Sequence, residues 1–156
     1  MNGASTVEVR VLDARLHDWG LPAYQSDWAA GIDIRACLPE PLTIEPGTAA
    51  VLIPSGLALG MDRADMVAFA LPRSGLGHKH GLILGQSIGT IDADYQGEVF
   101  ISAWLRPGMP AYTVQPGDRI AQLVFLPILR PTLTVTETFA VRSTRGAGGF
   151  GSTGVG

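Results

Sequence analysis

Cysteine, charge and long apolar runs are all scarce in this sequence of 156 residues. The single cysteine, Cys37, excludes an internal disulfide and fits a reducing compartment. Charged residues make up 16% of the chain and the net charge is −3, which does not indicate a nucleic-acid or membrane-surface binder. Apolar runs such as 120–126 are far shorter than a membrane span, and residues 1–5 lack the features of a signal peptide. We expect a soluble, cytoplasmic protein with no nucleic-acid and no membrane partner.

A long segment with the helical period of 3.6 residues is also missing. The chain has 20 glycines and 11 prolines without a collagen-like period or a low-complexity tract, which indicates many turns. Short strand-like segments at roughly even spacing predict an all-β sandwich, jelly roll or barrel. One short helix is predicted within residues 72–81, where a proline opens a polar stretch that ends in glycine.

The chain shows no internal repeat and no second-domain boundary. Residues 13–27 are predicted as a loop, and the turn-rich stretch 85–94 precedes a long strand. The tail from about residue 143 is rich in Ser, Thr and Gly. We therefore expect one β domain over residues 1–142 and a flexible arm over 143–156. Strands are predicted at 7–12, 30–36, 42–44, 49–53, 57–59, 66–71, 82–84, 99–105, 112–114, 120–125 and 132–136.

The glycine-rich tail contains two weak phosphate-binding patterns. Residues 146–151 spell G-x-G-x-x-G, and residues 146–153 spell G-x-x-x-x-G-S-T, a phosphate loop without its lysine. Neither pattern is followed by a helix, which both patterns need. A flexible terminus explains the composition, but Arg145 and Phe150 are unusual in a linker, and a glycine-rich backbone is suited to wrapping phosphate oxygens.

Residues 72–77, which read Pro-Arg-Ser-Gly-Leu-Gly, are consistent with either a turn or an anion site. In the second interpretation Arg73 supplies a guanidinium fork and Ser74 a hydroxyl. His78, Lys79 and His80 indicate solvated surface rather than metal ligands, because no Cys/His ligand spacing is present.

Two further segments are open in the same way. Residues 89–98 form an extended or turn segment that carries Asp92 and Asp94. The two aspartates are either ordinary turn residues or one of them is a general base that activates water. Tyr95 offers a ring that is able to pack on a sugar. Residues 117–123 are a turn followed by a strand, and Gln122 within that apolar strand needs hydrogen-bond partners.

Each segment is ambiguous alone, but their order resembles the five motifs of the trimeric dUTPase family, bacterial type. The resemblance runs from about residue 7 to the C-terminus, and residues 71–81 are especially similar to bacterial members. The five segments are 30–34, 72–76, 89–98, 117–122 and 145–154.

Membership of that family implies a jelly-roll-like β-barrel and a homotrimer with three active sites built between subunits. The implied reaction is hydrolysis of dUTP to dUMP and diphosphate, with Mg²⁺ carried by the triphosphate. This dUTP diphosphatase activity would limit uracil incorporation into DNA and supply dUMP for dTMP synthesis.

The resemblance also implies residue roles. Asp92 would deprotonate the water that attacks the α-phosphorus, and Tyr95 would lie against the deoxyribose and exclude a 2′-hydroxyl. Asp33 would lie near the magnesium without coordinating it directly. The uracil hairpin at about 86–100 includes Gln86, Thr90, Ile91 and Phe100. Phosphate contacts would come from Arg73, Ser74 and Gly75 of a neighbouring chain and from Gln122. The arm would add Arg145, Gly151, Ser152 and Thr153 on phosphate, with Phe150 stacked on uracil.

Two departures from the family and three rival functions bear on these roles. One departure is at Glu98 and Phe100, which stand at positions that vary in the family. Gln86 stands where many bacterial members carry Asn, which affects a side-chain contact to the base. A dCTP deaminase shares the fold, but it uses a glutamate where this chain has Ser102. A binding or regulatory protein without turnover would not need Asp92, and a purely structural barrel leaves all five motifs unexplained.

Overall fold

Short strands make up most of the regular structure in the computed structural model, which describes residues 6–141 together with residues 143 and 146. Two short helices interrupt the strands. In chain order the elements are β1 Val7–Val11, α1 Leu16–Trp19, β2 Ile32–Arg35, β3 Leu42–Ile44, β4 Val51–Met61, β5 Met66–Pro72, α2 Ser74–His80, β6 Leu82–Leu84, β7 Gly89–Ile91, β8 Glu98–Leu105, β9 Tyr112–Val114 and β10 Arg119–Pro127.

The strands form two four-stranded sheets and one two-stranded sheet. The first sheet has the order β1-β4-β8-β6, the second β2-β10-β5-β7, and the third pairs β3 with β9. All the strand pairs are antiparallel. The all-β prediction is confirmed, although the sheets do not close into a barrel.

One hydrophobic core is shared by both large sheets. Ile53, Ile101 and Leu105 of the first sheet and Ala68 and Leu123 of the second sheet are all at most 2% exposed. Burial alternates along β8, as it does when one face of a strand lies on a core and the other does not. The core therefore fixes β5 and β8, which carry the functional residues described below.

Strand predictions agree with the structure except at three places. The separately predicted strands 49–53 and 57–59 are one strand, β4, with a register shift between Pro54 and Ala58. At this bulge Gly56 has φ +69°, and an added Cβ would lie 2.7 Å from the Cys37 sulfur. The turn-rich stretch 85–94 also contains β7, which is too short to alternate visibly.

The helix α1 lies inside the predicted loop 13–27. It has only four residues, so it is shorter than the window over which a helical period is recognised. Tertiary contacts hold it: Leu16 is 1% exposed, and Arg15 Nη1 donates to the Leu38 carbonyl at 2.6 Å. Locally, the Arg15 guanidinium also lies 4.8 Å from the Trp19 ring centroid. Neither α1 nor α2, the helices of the described part, has the length and apolar character needed to cross a membrane.

The strand predicted at 132–136 is wrong. Its residues alternate as a strand would, but Leu133 is 89% and Val135 101% exposed, and no strand pairs with them in the described part. Leu129, Phe139 and Val141 are also more than 80% exposed. The segment has the apolar pattern of a half-buried strand, but no surface among residues 6–141 covers it.

Candidate active site

A cavity of about 420 Å³, here called the hairpin pocket, lies beside β7 and β8. It brings together six residues predicted from the sequence: Gln86, Thr90, Ile91, Asp92, Tyr95 and Phe100. Its remaining lining residues are Ala70, Gly89, Glu98 and Val99.

Main-chain hydrogen bonds shape the turn between β6 and β7, from which Gln86 and Gly89 reach this pocket. Ser87 has φ +68°, which is rare for a residue other than glycine, and its N–H donates to the Leu84 carbonyl at 3.1 Å. The Ile88 N–H donates to the Gln86 carbonyl at 2.8 Å. β7 is the edge strand of its sheet, paired on one side with β5. Its other side therefore presents main-chain donors and acceptors with no strand partner in the described part of the chain.

Asp92 directly follows β7 and is exposed. Its main-chain carbonyl accepts the Tyr95 N–H at 3.1 Å, which makes a tight turn. Within the described residues no hydrogen bond to its carboxylate is recorded. Both carboxylate oxygens are thus available to accept a proton or a hydrogen bond from water.

Tyr95 is held by its hydroxyl and by the glycine beneath its ring. The hydroxyl donates to the Glu98 carbonyl at 2.8 Å. A Cβ on Gly97 would lie 2.6 Å from the Tyr95 oxygen and 2.8 Å from Cζ, so the ring position requires glycine there. Glu98 is itself fixed, because its carboxylate accepts the Gly56 N–H at 2.9 Å. Tyr95 therefore presents a fixed ring to the pocket.

A second cavity of about 350 Å³, here called the arginine pocket, lies where β5 leads into α2. The predicted residues Asp33, Arg73, Ser74, Gly75 and Gln122 all line it. Leu76, Lys79 and His80 complete the lining.

Ion pairs on one carboxylate organise the arginine pocket. Asp33, with its side chain 13% exposed, accepts Arg73 Nε at 2.9 Å and Arg119 Nη1 at 3.1 Å. Arg73 Nη1 also donates to the Arg119 carbonyl at 3.0 Å. Two guanidiniums on one carboxylate leave a net positive charge, and a planar guanidinium suits phosphate oxygens. The pocket is suited to an anion.

Gln122 has the partner that a half-buried amide needs. Its Nε2 donates to the Pro72 carbonyl at 3.1 Å, directly before Arg73. Gly31 leaves the space for it, since a Cβ there would lie 2.3 Å from Gln122 Oε1. Gly31 and Gln122 thus fix the end of β5 from which Arg73 projects.

The two pockets lie at opposite ends of β5 and do not meet within one chain. Ile91, directly before Asp92, pairs with Ala68, whereas Arg73 follows Pro72 at the other end of the strand. The separation along the strand is six residue steps of about 3.3 Å, roughly 20 Å. Asp92 and Arg73 of one chain therefore cannot act together on one small molecule.

The chain matches known proteins over nearly its whole length. The family model described as dUTPase matches residues 17–154. The deoxyuridine 5′-triphosphate nucleotidohydrolase of Xanthomonas campestris pv. campestris (strain B100) is 58% identical over 151 residues, 96% of this chain and 97% of that protein. The chain belongs to the dUTPase family.

Solved dUTPase structures share the fold. A mutant of the Staphylococcus bacteriophage 80alpha dUTPase, with dUpNHpp, has a TM-score of 0.82 at 27% identity, covering 97% of this chain and 100% of that one. A second structure, of a mutant dUTPase from phage phi11 of S. aureus, concerns the coordination of a structural Mg(II) ion. Its TM-score is 0.72 at 25% identity, and the match covers 87% of this chain and 99% of that one. The predicted dUTPase-type jelly roll is confirmed.

The dUTPase motifs of this chain do not by themselves form a metal cage. Among the described residues there is no group of three His, Cys, Asp or Glu side chains that is able to hold a metal ion. Asp33 uses both carboxylate oxygens on arginines. The side chains of the described residues of one chain therefore do not form a site for a resident magnesium ion.

Some dUTPase-motif residues fall outside the described part of the chain, and some pocket residues were not predicted. Arg145, Phe150, Gly151, Ser152 and Thr153 lie outside the described residues. Lys79 and His80 are exposed as predicted, yet they also border the arginine pocket. The four-residue spacing of Gly75 and Lys79 on a predicted helix was the available signal. Apart from its place in the motif at 117–122, nothing in the sequence indicated that Arg119 pairs with Asp33.

Proposed function

We propose that the protein is a dUTP diphosphatase that hydrolyses dUTP to dUMP and diphosphate in active sites shared between the copies of a homotrimer. The observation that carries this proposal is the separation of an exposed aspartate beside a base-sized pocket from a cationic pocket at the far end of β5. Because Asp92 and Arg73 are roughly 20 Å apart along the strand in one chain, each pocket needs its counterpart from another copy.

Main-chain groups would select the base. A uracil ring presents an acceptor at O4 and a donor at N3–H, which match a donor and an acceptor on the free edge of β7. Cytosine reverses both groups, so the same edge would leave buried polar groups unpaired, which is costly. Gln86 lies in the hairpin pocket and would adjust this contact through its side chain.

The Tyr95 ring would select the sugar. Because its hydroxyl donates to the Glu98 carbonyl, the face turned to the pocket is apolar. A deoxyribose C2′ packs on such a face, whereas a ribose would have to bury an unpaired 2′-hydroxyl or displace the ring. Phe100 would line the same pocket on the base side.

Asp92 would act as the general base. It takes a proton from water as the water oxygen bonds to the α-phosphorus, and the bond from the α-phosphorus to the bridging oxygen breaks, releasing diphosphate. Arg73, Ser74, Gly75 and Gln122 of a neighbouring copy would neutralise and orient the phosphates, which is the main requirement of phosphoryl transfer. The substrate would be the magnesium complex of dUTP, in which phosphate oxygens bind the ion. Asp33 would lie near the ion without binding it, because its carboxylate is paired with Arg73 and Arg119.

The exposed apolar segment supports the homotrimer. Leu129, Leu133, Val135, Phe139 and Val141 would be covered by another copy rather than by water. The arm at residues 143–156, beyond the β domain at 1–142, would then close over an active site. In it Phe150 would stack on uracil, and Arg145, Gly151, Ser152 and Thr153 would bind phosphate. The cellular consequences would be less uracil in DNA and a supply of dUMP for dTMP synthesis in the cytoplasm.

Hydrolysis in ¹⁸O-labelled water tests the reaction and its site of attack. With dUTP and Mg²⁺ we expect dUMP and diphosphate, with the label in dUMP because water attacks the α-phosphorus. Label in the diphosphate would contradict attack at that atom, and absence of turnover would contradict the proposal.

Incubation with dCTP tests the rival deaminase activity. The position where a deaminase uses a glutamate is Ser102, which lies in β8 close to Gly85 and has no carboxylate. We expect no ammonia release from dCTP. Ammonia release faster than dUTP hydrolysis would favour the deaminase.

A further inference from the structure

We infer that Arg35 is a positioning residue for the arginine pocket: it holds the turn at residues 115–119 in the place from which that turn orients Arg73. Arg35 does not line the pocket, and none of the motif roles above involves it. The inference rests on the proposed function, since it specifies how the phosphate-binding guanidinium is held.

Arg35 ties two segments together at the end of β2. Its Nη1 donates to the Gly117 carbonyl at 2.8 Å, and its Nε donates to the Gly20 carbonyl at 3.3 Å. The main chain beside it makes two more bonds to the same turn. Gly117 N–H donates to the Ala36 carbonyl and Ala36 N–H donates to the Asp118 carbonyl, both at 2.8 Å. The turn is thereby fixed to β2.

The backbone of the turn at residues 115–119 is constrained at Gly117 and at Asp118. Gly117 has φ +85°, and an added Cβ would lie 3.0 Å from the Trp19 ring of α1. The Asp118 carboxylate accepts the Gln115 N–H at 2.8 Å, which closes the turn internally. Because Arg35 binds the Gly20 carbonyl, directly after Trp19, one guanidinium fixes both the turn and the ring packed on it.

The position of the turn sets the position of Arg73. Arg73 Nη1 donates to the Arg119 carbonyl at 3.0 Å, and Arg119 Nη1 bonds the same Asp33 carboxylate that accepts Arg73 Nε. Arg119 pairs with Arg35 and Ala121 with Ile34, so the ladder shifts register between them. The register shift separates the turn from the regular part of the ladder. The bond from Arg35 to the Gly117 carbonyl therefore adds to the main-chain bonds in setting where the Arg119 carbonyl lies.

The inference predicts a selective loss. Without Arg35, the residues that line the arginine pocket keep their charge. The turn that carries the Arg119 carbonyl, one of the acceptors of Arg73, loses its side-chain bond to β2. Binding of a triphosphate should weaken, whereas binding of dUMP, which lacks the β- and γ-phosphates, should not. A purely structural role for Arg35 would weaken both ligands alike.

Binding of two ligands by the full-length protein tests this prediction: dUpNHpp, the dUTP analogue present in the phage structure, and dUMP. For Arg35→Met we expect about tenfold weaker dUpNHpp binding, with dUMP binding within about twofold of wild type. Arg35→Lys should also weaken dUpNHpp binding, because one ammonium does not replace a fork that reaches two carbonyls, and it serves as the test if Arg35→Met does not fold. Thr48→Val, which removes a side-chain bond to the Glu45 carbonyl in a remote turn, is the matched control and should change neither ligand.

A double-mutant cycle separates positioning from a general effect. In an Arg73→Ala background, Arg35→Met should weaken dUpNHpp binding by less than twofold, because the residue it positions is gone. The inference would be overturned if Arg35→Met weakened the binding of dUMP and of dUpNHpp by the same factor. It would also be overturned if the effects of Arg35→Met and Arg73→Ala on dUpNHpp binding were fully additive. If the wild type itself neither binds dUpNHpp nor hydrolyses dUTP, the proposed function fails as well, and these results differ from the variant outcomes.

Discussion

The hairpin pocket and the arginine pocket are constructed in opposite ways. The hairpin pocket borders an edge strand, β7, and the fixed ring of Tyr95 packed on Gly97. The arginine pocket consists mainly of side chains whose positions depend on ion pairs to Asp33. Selectivity for a neutral base needs fixed donors and acceptors, whereas a triphosphate needs charge.

Asp92→Asn should have the largest effect, because it removes the proposed base without altering either pocket's shape. We expect turnover to fall by about 10²–10⁴-fold with dUpNHpp binding retained. Diphosphate release measures this change. Asp94→Asn, two residues away on the same turn, is the control and should stay within a few fold of wild type. Turnover close to wild type in Asp92→Asn would contradict the assignment of Asp92 as the general base.

Arg73→Lys tests the arginine side. A lysine keeps the charge but cannot bond Asp33 and the Arg119 carbonyl while also presenting a planar fork to phosphate. We expect kcat/KM for dUTP to fall by about tenfold or more, which corresponds to at least about 1.4 kcal/mol of lost transition-state stabilisation. Arg10→Lys, on the exposed strand β1, is the matched control. Equal kinetics for both variants would mean that charge alone suffices in this pocket.

Gly97→Ala tests the fixed ring of the hairpin side. The added Cβ would meet the Tyr95 hydroxyl and Cζ, so the ring must move away from its bond to the Glu98 carbonyl. We expect the ratio of UTP to dUTP hydrolysis to rise several-fold, as it should in Tyr95→Ala. The ratio of kcat/KM values for the two nucleotides measures this, with Gly77→Ala, whose added Cβ would lie 3.4 Å from the Ile83 side chain, as the control for a generic glycine replacement. An unchanged ratio in both Gly97→Ala and Tyr95→Ala would remove the sugar-selecting role of Tyr95.

The smallest predicted effect concerns the core that the two pockets share. Burial, with a contribution from the nearby Asp13 carboxylate, raises the pKa of the Cys37 thiol to about 11. The neutral thiol is therefore favoured in the folded state, and its contribution is complete below pH 9 and is lost as the pH rises through 11. We expect a loss of about 1 kcal/mol at pH 10. Chemical denaturation of wild type and of Cys37→Ala from pH 8 to 11 should show a weaker alkaline decline in the variant, and parallel curves would contradict this.

The sequence predicted local features well and long-range ones poorly. Strands such as β3 and β9 have the predicted bounds, and α2 lies where a proline and a glycine frame it, because turns and alternation are local signals. The helix α1 depends on burial of Leu16 and on the bond from Arg15 to the Leu38 carbonyl, 23 positions away, which local spacing does not encode. The segment 132–136 has the pattern of a strand, but a pattern does not specify which surface covers it.

The site shows the same division. Resemblance in motif order identified the lining residues of both pockets, since each motif is a contiguous stretch. It could not show that Asp33 is shared by Arg73 and Arg119, or that Arg35 holds the turn beneath them, because these contacts join residues up to 86 positions apart. The roughly 20 Å separation of Asp92 from Arg73 also depends on strand register.

Complementation between two inactive variants tests the central claim most directly. Asp92→Asn and Arg73→Ala chains are mixed in equal amounts, unfolded, refolded together and assayed for diphosphate release from dUTP. If each site takes Asp92 from one chain and Arg73 from another, about a quarter of the sites in the random mixture have both residues intact, and about a quarter of wild-type activity should return. Each variant refolded alone should stay inactive. A mixture no more active than the two variants assayed separately would contradict a site shared between chains.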